Sequence, residues 1–335
     1  MRNLIALILV FLCGAGWAQD WEDRQIFNEA QATTTLRIIS STDTDLFAPL
    51  IEAFVSRNPD IAIEYLVTGT ADIDRRFRRT PDAFDIAISS AMDLQFKLTN
   101  DGYALELEGV SHPAWAQWRQ SLFAFTSEPA AIVINRAAFE GLPIPGSRQE
   151  LIEALRARPE VFRGRIGTYD VRQSGLGYLF ATQDARASET FWRLMEVMGG
   201  LDARLYCCSG EMIDDLTNGT IAVAYNVLGS YAEARAESQT TLEIVLPSDF
   251  PTTMMRTALV SRESEESVPA QRFIQFILTY QSSPTDAARA LPPLRDRENG
   301  TERATIALEP ALMTFLDTLK RTKFLSEWEN ALIHN

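Results

Sequence analysis

Phe84-Asp85-Ile86-Ala87-Ile88-Ser89-Ser90-Ala91-Met92-Asp93-Leu94-Gln95 passes from a buried strand, through two hydroxyls, into a helix marked by Leu94 and Leu98 and stopped at Asn100-Asp101-Gly102. Such a junction leaves backbone N–H groups at the helix start without partners, beside two short side chains that either cap the helix or cradle a small ligand. In open α/β sheets ligands lie outside the carboxyl ends of the strands, where Ser89 and Ser90 fall. The same grammar occurs earlier, where Leu36-Arg37-Ile38-Ile39 runs into Ser40-Ser41-Thr42-Asp43 and a helix from Leu46 to Arg57.

Working outward, that first helix shows Leu46, Leu50 and Phe54 at helical spacing and stops at Asn58-Pro59. The strand Ile61–Val67 alternates, placing Ile61, Ile63, Tyr65 and Val67 on one face. Strands alternating with helices predict an α/β fold with mainly parallel sheets. The polar break Thr126-Ser127-Glu128-Pro129 reads as a crossing between two lobes, and Leu246-Pro247 as the return. Lobe 1 is then expected to be discontinuous, residues 33–128 and 247–335, with lobe 2 spanning 129–246. In lobe 2, Ser147-x-x-Glu150 is a capping box. Helices follow near 175–183, 187–198, 209–217 and 228–236, with strands at Ile166–Tyr169 and Thr220–Tyr225. A Pro-rich break at Ser283-Pro284 precedes a C-terminal helix from about Pro310 to Leu332.

The first residues combine Arg2, an apolar run from Leu4 to Leu12 and Gly16-Trp17-Ala18, which reads as a cleavable export signal, too short to span a bilayer. Cleavage is expected after Ala18, releasing a periplasmic protein. Removing Arg2 with the signal leaves 30 Lys and Arg against 45 acids, about −15, so nucleic acid and anionic membranes are poor partners. Only Cys207 and Cys208 remain in the mature chain, so no disulfide framework exists and the cores must supply stability.

Two lobes, two crossings and facing hydroxyl turns describe a hinged ligand trap. The sequence also resembles the extracellular solute-binding proteins of ABC importers, of the type II periplasmic binding-protein fold and its iron(III)-transport-like branch. The resemblance is carried by Ser89-Ser90-Ala91-Met92-Asp93-Leu94-Gln95 with Asn100-Asp101-Gly102-Tyr103-Ala104, by Gly167-Thr168-Tyr169-Asp170, by Ser174-Gly175-Leu176-Gly177-Tyr178, and above all by Ala224-Tyr225-Asn226-Val227-Leu228-Gly229-Ser230-Tyr231-Ala232. It implies a monomer that delivers a small solute to a membrane permease without cofactor or catalysis. Iron binders of this branch use adjacent tyrosines after the strand that here ends near Tyr225. This chain has no such pair, and hydroxyls and amides do not supply the hard anionic oxygens that ferric ion needs. No metal site is therefore expected.

The expected cleft groups are Ser40, Ser41, Thr42, Ser89 and Ser90 from lobe 1, and Arg172, Ser174, Gly175, Gly177, Ser209, Asn226 and Tyr231 from lobe 2. Gly175 and Gly177 would let backbone N–H groups approach a ligand, and Arg172 could fork onto a carboxylate or phosphoryl group, so an anionic solute is expected. Alternatively Arg172 pairs with Asp170 or Asp184. Cys207-Cys208 could form a strained vicinal disulfide, remain as two thiols or, least favoured, bind a metal. With two histidines, His112 and His334, in unpromising contexts and no phosphate- or zinc-binding motif, a hydrolase is disfavoured. A second reading makes the loaded protein the partner of a sensor histidine kinase rather than a permease.

Overall fold

The computed structural model describes residues 21–236, 241–282, 291–295 and 305–333. The export signal and the break at Ser283-Pro284 lie outside them. Strands β1 (Asp23–Phe27), β2 (Thr34–Ser40), β3 (Ile61–Val67), β4 (Ile86–Ser89), β5 (Gln117–Trp118) and β6 (Leu122–Ala124) belong to one sheet, and β7 (Glu128–Asn135), β8 (Ile166–Tyr169), β9 (Arg204–Tyr206), β10 (Val223–Leu228) and β11 (Leu242–Val245) to another. The short β12 (Thr253–Met254) pairs with β7, and β13 (Thr257–Val260) returns to the first sheet. The strand orders are β1-β3-β2-β4-β13-β6-β5 and β11-β7-β10-β8-β9. Both sheets are mixed: β2 lies parallel to β3 and β4, and β8 parallel to β9 and β10, while β13 and β7 run antiparallel to their neighbours.

The helices of the first lobe are α1 (Thr44–Val55), α2 (Thr70–Arg79) and α3 (Met92–Asn100), and those of the second are α4 (Arg148–Ala157), α5 (Pro159–Phe162), α6 (Gly175–Ala187), α7 (Thr190–Gly200), α8 (Ser209–Thr217) and α9 (Gly229–Ala236). After these come α10 (Ser267–Ser282) and α11 (Thr318–Leu332). Every residue of β3 is buried, not only the alternate face expected from its pattern. The reason is that helices cover both faces of a parallel arrangement, so the alternation of polar residues gives way to pairing. Glu64 is the example, held by Arg24 and Arg37 at 2.7 and 2.8 Å.

The chain leaves the first sheet after β6 and enters the second at β7. Its return comes later than Leu246-Pro247: β12 still pairs with Glu128 and Pro129, and only β13 rejoins the first sheet, so the second crossing is Met255-Arg256. The crossings are bonded to each other, Phe125 N–H donating to Arg256 O at 3.0 Å and Arg256 N–H to Thr126 Oγ1 at 3.0 Å. The C-terminal helix is also shorter than its apolar spacing suggests. A 3-10 segment over Pro310–Leu316 is followed by Asp317, which caps α11. This helix packs on α7 and buries Phe324, Trp328 and Leu332 in the second core, although the sequence placed residues 247–335 with the first.

Candidate functional site

Each lobe directs helix starts at the other. From the first come the turns before α1, α2 and α3; from the second, those before α6, α8 and α9. They meet directly. Asp43 N–H donates to the Tyr231 hydroxyl, which in turn donates to Asp43 Oδ1, both at 3.1 Å. Leu176 N–H donates to Thr70 Oγ1 at 3.1 Å. A Cβ on Gly175 would stand 2.8 Å from Leu94 Cδ1 and 3.2 Å from Ala91 Cβ, so glycine permits the closest approach. The two junctions that organise the sequence, Ser89-Ser90 and Ser174–Gly177, are therefore neighbours across the interlobe contact. They are buried there.

Most of the expected hydroxyls serve their own turns. Ser40 Oγ accepts from Thr42 N–H and from Tyr65 OH, Ser89 Oγ from Ala91 N–H, Ser174 Oγ from Gly177 N–H, and Ser209 Oγ from Leu228 N–H. Ser41 and Ser90 face each other with hydroxyls 3.4 Å apart. Thr42 bonds the buried Arg256 guanidinium. Gly177 packs on Tyr169 of its own lobe, where a Cβ would come within 2.3 Å of the Tyr169 Cβ. Asn226 turns away from the groove. A bulge between Tyr225 and Val227 gives it a φ of 62°, and its amide donates to Asp184 at 2.7 Å within the second core. Arg172 takes the alternative partner, forking onto Asp170 at 2.7 and 2.8 Å with Glu329 at 3.5 Å.

Open space flanks the contact on both sides. A cavity of 590 Å³ lies between α2, α3, the turn before α6 and the chain near Arg321, and another of 420 Å³ between the start of α1 and the start of α8. Glu22 and Cys207 line both, so the two are parts of one groove. The smaller part is walled by Glu22, Asp23, Asp43, Asp45, Glu211 and Asp214, with no Lys or Arg among its described lining residues. In the larger part the cations are already engaged: Arg75 with Asp72, Arg78 with Asp74 and Asp101, Lys97 with Asp101, and Arg321 stacked on the Tyr178 ring.

Burial, and then the charges of Asp43, Asp72 and Glu211, push the Glu22 carboxyl above its usual range. Glu22 therefore registers charge from both lobes. Asp93, at the start of α3, is buried with Oδ1 lacking a hydrogen-bond partner among the described residues, and burial pushes its pKa up to about 7 against a small opposing contribution from N–H groups at the helix start and from Arg321. Because an acid raised in the folded state binds more protons there, stability is unpenalised below about pH 4 and falls as pH rises toward 7. Asp93→Asn should accordingly be more stable than the parent at pH 8 by about 2 kcal/mol or more, and should lose that advantage below pH 4. Urea denaturation across this range checks it; parallel pH profiles would contradict the assignment.

Cys207 and Cys208, at the end of β9, are free thiols with Sγ atoms 3.2 Å apart. Glu22, Glu211 and Thr70 escaped the sequence reading. Thr70 had a visible signal, since Val67-Thr68-Gly69-Thr70 repeats the passage from strand through hydroxyl to helix.

No family model matches the chain, and no curated protein matches it. Solved structures do. The substrate-binding protein of an ABC transporter from Agrobacterium tumefaciens superposes with a TM-score of 0.84 at 32% identity, covering 92% of this chain and 98% of that one. The chain belongs to the substrate-binding proteins of ABC transporters. More distant structures share the fold with this binding protein. The periplasmic binding protein AfuA from Actinobacillus pleuropneumoniae, with fructose-6-phosphate bound, has a TM-score of 0.73 at 12% identity and covers 90% of this chain and 99% of its own. Iron-bound HitA from Pseudomonas aeruginosa has a TM-score of 0.64 at 13% identity and covers 89% and 99%. The structures the chain superposes on are binding proteins. No described helix of it is long and apolar enough to cross a membrane.

Proposed function

We propose that the exported chain captures a small cationic solute, such as an amine, in the interlobe groove and presents the closed form to an ABC permease. The observation that carries this reading is the acid-only wall of the 420 Å³ part of the groove. Closing the lobes brings Glu22 and Asp43 toward Glu211, and like charges at close range resist closure until a cation neutralises them. The anionic solute expected from Arg172 has less support. Its guanidinium is committed to Asp170, and the N–H groups of Leu176 and Gly177 at the start of α6 are taken by Thr70 and Ser174. Ferric ion lacks support too: Tyr225 is bonded within the second core to Arg148 and Asp184, and no second tyrosine adjoins it.

A thermal-shift screen of amines, carboxylates, phosphonates, sugars and ferric citrate tests the reading. An amine at a hundredfold its Kd should add about 2.7 kcal/mol of stability. Stabilisation by anions alone would overturn it.

Gly175→Val inserts a side chain where Leu94 and Ala91 already touch the glycine. It should hold the lobes apart and weaken solute binding about tenfold or more, roughly 1.4 kcal/mol, while leaving the melting temperature without solute nearly unchanged. Titration calorimetry on both proteins checks it, and equal affinities would contradict solute capture by closure.

A further inference from the structure

We propose that Cys207, Cys208 and Glu211 form a binding site for a thiophilic divalent metal ion, Zn²⁺ or Cd²⁺, on the second-lobe wall of the groove. The three donor atoms lie within 4.8 Å of one another. Local structure puts them there. The chain leaves β9 at Tyr206, Cys208 takes extended angles as the residue before α8, and Glu211, third in that helix, sits where a side chain reaches back over the helix start.

Two of the three donor edges are close to what a tetrahedral ion requires, and the third lies within 4.8 Å. With bonds of about 2.3 Å to sulfur and about 2.0 Å to oxygen, the sulfur–oxygen edge of a tetrahedron is about 3.5 Å and the sulfur–sulfur edge about 3.8 Å. Here Cys207 Sγ stands 3.6 Å from Glu211 Oε2 and 3.2 Å from Cys208 Sγ. A small rotation of the exposed Cys207 side chain widens the second edge. Two sulfurs select against Mg²⁺ and Ca²⁺, and one carboxylate suits zinc or cadmium. The fourth position opens onto the groove, which Cys207 shares with Glu22 and Asp43, so further oxygens of the same sign face the ion.

Both thiols must give up their protons to bind. The ion replaces two S–H protons with two metal–sulfur bonds, the protons pass to buffer, and no electron is transferred. All three donors come from one lobe, within five residues, so the site needs no closure of the groove. Its failure would leave the solute reading intact.

The test is a Cd²⁺ titration of the reduced mature chain, followed by cadmium–thiolate absorption and by proton release. One ion per chain, about two protons released and displacement by Zn²⁺ are expected. Cys207→Ser and Cys208→Ser should each halve the thiolate absorption, and Glu211→Gln should weaken binding about tenfold with the absorption kept. Binding that survives in the double serine variant, cadmium uptake without thiolate absorption, or a chain that resists reduction because its cysteines are joined would each overturn the site.

Discussion

Arg256→Met is expected to cost about 3–5 kcal/mol of stability, measured by urea denaturation at neutral pH. Arg256 and Glu128 are fully buried where the two crossings run side by side, joined through Nε–Oε1 at 2.9 Å and Nη2–Oε2 at 3.0 Å. Each has further partners: Thr126 and Ser230 hydroxyls donate to Glu128, and Arg256 donates to Thr42. Removing the cation leaves a carboxylate in the dry centre of the hinge with only hydroxyl partners, and desolvation of the unpaired charge dominates the cost. Adding Glu128→Gln, which removes the stranded charge, should recover part of it at neutral pH. Such a clamp fixes the crossing strands in register. A cost below 1 kcal/mol would mean that the pair does not hold the hinge.

Arg148→Met is expected to cost a similar amount, about 3–5 kcal/mol, by damage confined to the second lobe. Arg148 is buried at the start of α4, where it donates to the Tyr225 hydroxyl at 2.7 Å, to both Asp184 oxygens at 3.2 and 3.3 Å and to Phe250 O at 3.1 Å, with its guanidinium over the Phe250 ring at 3.9 Å. Asp184 also accepts from Asn226 at 2.7 Å and Thr252 at 3.2 Å. This network ties α4, α6 and β10 together around one buried carboxylate. Arg148→Lys keeps the charge but not the planar fork, so it should cost less, about 1–3 kcal/mol. Circular dichroism melts would show whether the losses scale this way; equal stability of Arg148→Met and the parent would contradict a structural role.

Local grammar was legible where local chemistry decides the structure. Ser147 does cap α4 through Glu150 N–H at 3.1 Å, and the helix expected over 209–217 is α8. Strand-to-helix junctions with hydroxyls also mark the faces that meet. What the sequence could not display is how the hydroxyls are used, because Ser40, Ser89, Ser174 and Ser209 find partners two to forty residues away as readily as a ligand would. Asn226 illustrates the same limit: a single bulge turns it from the groove into the core. The charge of the groove was hidden for another reason. Glu22 belongs to the segment before β1, Asp43 to the turn before α1 and Glu211 to α8, and only the folding of distant segments brings them to one cavity. The return crossing was misplaced because Pro247 looks like a break, whereas β12 continues to pair with β7 beyond it.

The central claim is that two lobes open and close on a solute held between them. Small-angle X-ray scattering of the mature chain, with and without a saturating concentration of the amine that stabilises it most, tests this directly. The account predicts a larger radius of gyration without solute, falling when solute is added; identical scattering curves at proven saturation would contradict it.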